Sequence, residues 1–351
     1  MSTGRNIAIY VVIAVLGVFS PLVAPAYHAQ LALLWIMVVL ALSWDVMGGR
    51  MGYNSFGNIV FFGVGMYTTV VMQVGLFFDV GSYTLAQGAA GFKLTFIQYY
   101  LGLATGLVLA GILGSVVAAL VGSGLLGLRG HYFAIGTLGL GIAFAELFAG
   151  WDWLGAGSGI VTPLYPEGDA LISRTLLFYY LAFVLAIFCF FSLKRLHATR
   201  FGLAINAIRD DEDKAEAMGL HTTRYKTVAW SISAFFTGIA GGIVGNIVGF
   251  IDPRDVAFTG ATYGVWMILM AILGGKGTLW GPVIGAMIFH ITQELFWTYL
   301  LGWQRVALGL LIVIIVVFFP TGILGWLREH YPERFGVRVE PSEASTEGAG
   351  R

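Results

Sequence analysis

Charged residues make up 11% of the 351-residue chain and hydrophobic residues 58%, where a soluble domain carries about 25% charged residues. The mean hydropathy of +0.84 leaves too little polar surface to cover a water-facing fold of this size. Lys plus Arg and Asp plus Glu balance at 19 each, so overall charge points to no nucleic-acid partner, and a single cysteine, Cys189, excludes an internal disulfide.

A membrane-crossing helix needs about 20 apolar residues. Such runs occur near 7–25, 30–47, 57–77, 97–124, 132–150, 174–193, 226–250, 262–273, 280–299 and 304–325. They predict an all-α polytopic transmembrane helical bundle of about ten spans. Eight to ten are compatible with the short eighth run and with a fourth run long enough to tilt or break. In the first run, Arg5, an apolar stretch and Ala24-Pro25-Ala26 have the layout of a signal peptide. A retained helix is the expectation, because a polytopic chain inserts without a cleaved leader.

With the N-terminus in the cytoplasm and alternating spans, 15 of the 19 Lys and Arg fall on the inner side. Only Lys93, Arg174, Arg254 and Arg305 fall outside. That is the positive-inside bias, and it places both termini in the cytoplasm. Residues 151–173 form a long outer loop rich in Gly, Pro and Trp, and 194–225 form the one long, charge-dense inner loop. Residues 1–330 read as a single transmembrane domain. The polar tail 331–351 is expected to be a disordered cytoplasmic extension.

The inner loop contains TRFGLAINAIRDDEDKAEAMGL, residues 199–220. Phe201, Ile205, Ile208, Ala215 and Met218 recur at helical spacing and predict one buried face. The run Asp210-Asp211-Glu212-Asp213 suits a helix N-terminus, and Gly219 a C-terminal cap, so a short helix is expected near 210–218. It reads either as a solvated linker or as the handle for a soluble partner. Since the other inner loops are very short, the handle is favoured.

Gly241, Gly245 and Gly249 repeat every fourth residue, a pattern that lets helix backbones approach closely. The GGKGT at 274–278 lacks the Ser or Thr after Lys276 that a nucleotide-binding loop requires, and reads as a tight inner turn. Asp45, Glu146 and Glu294 fall at membrane depth or near span ends, where a carboxylate invites a functional reading. Glu146 shares a span with Thr137 and several glycines, which suits a polar path. Trp151 and Trp153 suit an interfacial anchor. The histidines have no metal-ligand spacing, no nucleophile–base pair is evident, and no cofactor is indicated.

Several stretches together resemble one family. RFGLAINAIRDDEDKAEAMG is similar to the cytoplasmic loop of LivM-type permeases of branched-chain amino-acid ABC importers, matching at Arg200, Phe201, Gly202, Ala204, Ala207, Ile208, Arg209, Glu212, Ala215, Glu216 and Gly219. Residues 52–58 followed by FFGVGMY, LRGHYFA with Thr137-Leu138, Gly157-Ser158-Gly159 and LGGKGTLWGPVIGA at 273–286 resemble further motifs of that family, in order. The resemblance implies that the chain is no enzyme itself and that Arg209, Glu212, Ala215, Glu216 and Gly219 dock on an ATPase. It further implies a second permease subunit in a heterodimer, two cytoplasmic ABC ATPase subunits, a periplasmic substrate-binding protein, and a lipid setting in a bacterial inner membrane. Asn54, Ser55, Asn58, Thr137 and Glu146 are the candidates for the translocation path. Tyr53-Asn54 and Asn58 depart from the family's pattern, as does Gly155-Ala156-Gly157. These departures leave open an importer of urea, short amides or another small polar solute. From another class, a stand-alone ion-coupled carrier or channel also stays open.

Overall fold

The computed structural model describes residues 3–86, 92–166, 172–300, 302–303, 306–307, 309–310, 313 and 322–330. In hydrocarbon a helix satisfies its own backbone polar groups, and the apolar runs among the described residues take that form. The helices are α1 (Thr3–Val23), α2 (His28–Gly48), α3 (Asn58–Gly75), α4 (Val80–Leu85), α5 (Phe96–Leu125), α6 (His131–Ala149) and α7 (Arg174–His197). They continue with α8 (Arg200–Asp210), α9 (Glu212–Ala217), α10 (Thr222–Val248), α11 (Val265–Gly274), α12 (Trp280–Tyr299) and α13 (Gly322–His330). Two short strands, Ile160–Val161 and Phe250–Ile251, pair antiparallel with Ile160 opposite Ile251.

Nine of the ten expected runs coincide with helices. Among the described residues, seven helical stretches are long and apolar enough to cross a membrane. The shortfall has three sources. α1 offers only Tyr10–Val23 as a shorter apolar helix, and His290, Gln293 and Glu294 make α12 more polar. Most of the tenth run, 304–325, lies outside the described residues, as does the tail 331–351. The eighth run proves longer than expected, because two wide turns, Pro253–Ala257 and Gly260–Gly264, extend it to a 22-residue stretch. The fourth is unbroken: α5 runs for 30 residues, about 45 Å at 1.5 Å per residue.

Two groups of helices share α10. α2 is buried from Ile36 to Gly48 and packs against α7, α10, α11 and α12. α3, α5 and α10 pack on one another, and here side chains are nearly eliminated. A Cβ on Gly65 would collide with the Gly238 carbonyl, one on Gly238 with the Ala110 carbonyl, and one on Gly241 with the Phe62 carbonyl. Gly245 sits in the same seam with more room, since a Cβ there would meet the Ile251 side chain at 3.2 Å rather than a backbone carbonyl. Gly249 lies beyond the seam, where it ends α10 with φ +86. α6 is peripheral. It buries one stripe, Phe133, Thr137, Gly141, Ala145 and Phe148, and leaves Tyr132, Ile135 and Ile142 exposed.

The connections gather into two sets. Loop 49–57, the 126–130 turn, α8–α9, the start of α10 and the 275–279 turn meet at one end, the cation-rich end. The strand pair, loop 151–162, Arg174 and Arg254 meet at the far end. This grouping agrees with the alternation read from charge. Tyr299 lies beside Ala24 and Tyr27 at the far end, whereas Gly322 is pressed against Gly275 at the cation-rich end.

Candidate functional site

The acidic run at 210–213 does not open one helix; it divides two. Asp211 is extended (φ −164, ψ 105), and its carboxylate accepts from the Lys214 N–H at 3.1 Å, capping α9. α9 then ends as expected. Gly219 adopts φ +88, its N–H bonds the Glu216 carbonyl and the Leu220 N–H reaches back to Ala215, the double bond pattern of a glycine-terminated helix. The break resets the helical phase. Ile205, Ile208 and Ala215 are buried as predicted, but Met218 is 85% exposed, because its spacing from Ile208 is counted across an extended residue.

Glu212, the first residue of α9, points inward. Its carboxylate accepts from Lys226 at 2.5 Å and from the Tyr53 hydroxyl, with the Arg129 guanidinium at 3.8 Å. Lys226, one turn into α10, is almost sealed from solvent and also donates to the Tyr53 oxygen and the Leu126 carbonyl, each at 3.0 Å. Burial opposes the charge on Glu212, yet the Lys226 and Tyr53 donors outweigh it and hold the carboxyl below its usual range. Burial, followed by the bond to Glu212, pushes the Tyr53 hydroxyl above its usual value. Behind Tyr53 stand Phe133 and then Trp230, edge to face, linking the anchor to the core.

Around this centre Arg129 bonds Asp213 at 2.6 Å and approaches Glu216 at 3.5 Å. The Thr222 hydroxyl donates to Glu216 at 2.5 Å. Arg209 crosses two glycine turns. Its Cγ lies 3.1 Å from where a Cβ on Gly52 would stand, and its Nη1 3.7 Å from one on Gly277. The Gly277 N–H in turn donates to Asp45 at 2.7 Å. One small helix is therefore tied to the entry to α3, the α5–α6 turn and α10. The outward surface of α8–α9 carries Leu203, Asp213, Lys214 and Met218. Such an arrangement passes a displacement of α9 into three parts of the bundle.

Of the path candidates, Ser55, Asn58 and Thr137 come together. The Phe56 N–H donates to Thr137 at 3.1 Å, the Trp44 indole to the Ser55 carbonyl at 2.7 Å, and Asn58 bridges Trp230 and Ser233 at 3.0 Å each. All three are fully buried in a hydrogen-bonded network at the start of α3. Asn54 is exposed beside it. Glu146 lies apart at the far end, in a two-bond pair with Arg254 at 2.7 and 3.0 Å. Glu294 and His290 border an open hollow with Gln30 and Tyr27. Among the described residues no three His, Cys, Asp or Glu side chains converge as metal ligands.

Tyr53, Arg129 and Lys226 are what the sequence reading left out of the site. Lys226 offered a signal, since a lysine one turn inside an apolar run needs an acid. Its partner, 14 positions back across the break between α9 and α10, does not show in any periodicity.

A helical bundle with seven membrane-capable stretches among its described residues and a polar handle pinned to its cation-rich end is a multi-pass membrane protein. The chain belongs to the family described as branched-chain amino acid transport system / permease component, whose profile matches residues 27–317. It is 28% identical over 343 residues to the high-affinity branched-chain amino acid transport system permease protein LivM of Salmonella typhimurium, covering 85% of this chain and 76% of that one. The LivM protein of Escherichia coli K12 is likewise 28% identical, over 83% of this chain and 74% of its own. The E. coli permease protein LivH is 31% identical over 128 residues, 36% of this chain and 40% of that protein. No solved structure matches the chain.

Proposed function

We propose that the chain is the membrane-spanning permease subunit of an ABC importer for branched-chain amino acids, with α8–α9 as its contact with the ATPase. The family match over 27–317 supports the permease reading, and one observation carries the contact: Glu212 ties an otherwise exposed helix to Lys226, Tyr53 and Arg129. In this reading the cation-rich end faces the cytoplasm of a bacterial cell, and about ten spans within residues 1–330 form the permease domain. The 151–173 loop meets a periplasmic binding protein, and a second permease completes the path in a heterodimer. Two cytoplasmic ATPases supply the energy, so this chain catalyses nothing. Asn54, Ser55, Asn58, Thr137 and Glu146 bear on the path, and Arg209, Glu212, Ala215, Glu216 and Gly219 shape the docking element.

Met218→Asp tests the contact without disturbing the core, since Met218 is 85% exposed. The variant inserts normally but loses co-purifying ATPase and leucine uptake. Normal ATPase retention and uptake would sink the docking role. Leucine uptake by the purified chain alone, driven by an ion gradient, would overturn the ABC reading.

A further inference from the structure

An apolar trough with a role in neither the anchor nor the buried network lies between α1, α2, α7 and α12. It is a narrow groove of about 80 Å³, open along one side. Trp35, Val38, Ile187, Phe190, Trp280 and Val283 form its walls, so a water inside would find almost no hydrogen-bond partner. At the cation-rich end Tyr10 closes it, stacked on Trp280 at 5.9 Å. Lys194 donates to the Tyr10 hydroxyl at 3.0 Å, with its ammonium 4.5 Å over the ring. Lys194 and Arg195 share the last turn of α7, and neither belongs to any ion pair among the described residues.

An ammonium with no carboxylate partner among the described residues, set at the end of a dry trough, complements an anion that carries a hydrocarbon tail. We propose that the trough holds one acyl chain of an anionic phospholipid, with its headgroup phosphate at Lys194. The tail gains little by leaving its neighbours, because lipid is as apolar as the trough. Selectivity therefore rests on the cation, and one Lys near an anionic surface gives about a fivefold preference. Tyr10 and Trp280 add the amphipathic rings suited to headgroup depth.

The test uses the full chain with its co-purified partners, in phosphatidylcholine vesicles doped with brominated phosphatidylglycerol or brominated phosphatidylcholine. Bromine quenches tryptophan on contact, and subtracting the Trp280→Phe signal isolates the trough. The expected result is that phosphatidylglycerol quenches Trp280 at about a fifth of the mole fraction that phosphatidylcholine needs. Lys194→Gln abolishes the preference, Lys194→Arg keeps it, and Ala14→Phe, which fills the trough, removes quenching by both lipids. Equal quenching by the two headgroups in the parent overturns the proposal. So does a Trp280 shielded from both lipids with a cysteine at Ile187 cross-linking to the second permease, which would make the trough a subunit interface.

Discussion

Lys226→Met removes the ammonium that ties α9 to the bundle and leaves its volume nearly filled, so the loss is polar. The Lys226 side chain is 2% exposed and that of Glu212 12%. Removing one partner of a buried ion pair costs about 3–5 kcal/mol, because the other charge stays buried. Glu212 keeps the Tyr53 hydroxyl and, at 3.8 Å, Arg129, which places the cost near the lower figure, about 3 kcal/mol. At about 1.4 kcal/mol per decade this is roughly a hundredfold loss of hydrogen-exchange protection. The loss is read at the α9 amides, with the α2 amides as an unchanged internal control. Adding Glu212→Leu removes the second charge, and replacing both partners of a buried pair by apolar groups is close to neutral. The double variant therefore regains most of its protection, with a coupling energy of about 2–3 kcal/mol. Leucine uptake stays low in both variants, because the link between α9 and α10 is gone. Protection in Lys226→Met within threefold of the parent, or a double variant as exposed as the single, would refute the strut.

Acid should release α9. The Glu212 carboxyl titrates below its usual range when folded, so its contribution is complete above the unfolded value of about 4.3 and fades as pH falls through the lower folded value. The protection factor of residues 212–218, which divides out the pH dependence of free-amide exchange, is thus flat from about pH 8 to pH 5 and falls below about pH 4; a fall already at pH 6 would contradict the assignment. Gly219→Ala meets open space at φ +88, so it pays only backbone strain, about 1–2 kcal/mol. Gly219→Asn tolerates that region better, and leucine uptake should follow the order Gly, Asn, Ala. Gly241→Val collides with the Phe62 carbonyl, which is backbone and cannot give, while the Cβ of Gly245→Ala meets only side chains, Ile251 at 3.2 Å and Met66 at 3.3 Å, which can shift by a few tenths of an ångström. Thermal unfolding in mild detergent should show the first variant severely destabilised and the second within a few degrees of the parent, and equal melting points would refute the seam.

The apolar runs were legible because each bilayer crossing imposes its own length, independent of the rest of the chain. Gly219 was legible too, since a left-handed cap is a local requirement. Met218 was misplaced for the converse reason: a helical count assumes an unbroken helix, and Asp211 breaks it. The Glu212 anchor escaped detection because its members sit at positions 53, 126, 129, 212 and 226, joined by folding rather than by spacing. Gly241 was recognisable as a packing position, but its partner was not, since the backbone it touches on α3 can have any side chain. Gly249 continued the same four-residue rhythm, and only the end of α10 shows that it serves a turn.

The bond from Gly277 to Asp45 spans 232 positions, and this separation sets an order of assembly. At about 5–20 residues per second, roughly 10–50 s of synthesis separate the two residues. For that interval the carboxyl at the end of α2 has no Gly277 N–H to accept, and Arg209, once made, has only the Gly52 turn to cross until Gly277 follows. The clasp at the cation-rich end therefore forms in two stages: the Glu212 anchor is complete once Lys226 is made, and a nascent chain stalled between residues 226 and 277 should hold α9 while the Asp45 carboxyl still lacks its Gly277 partner.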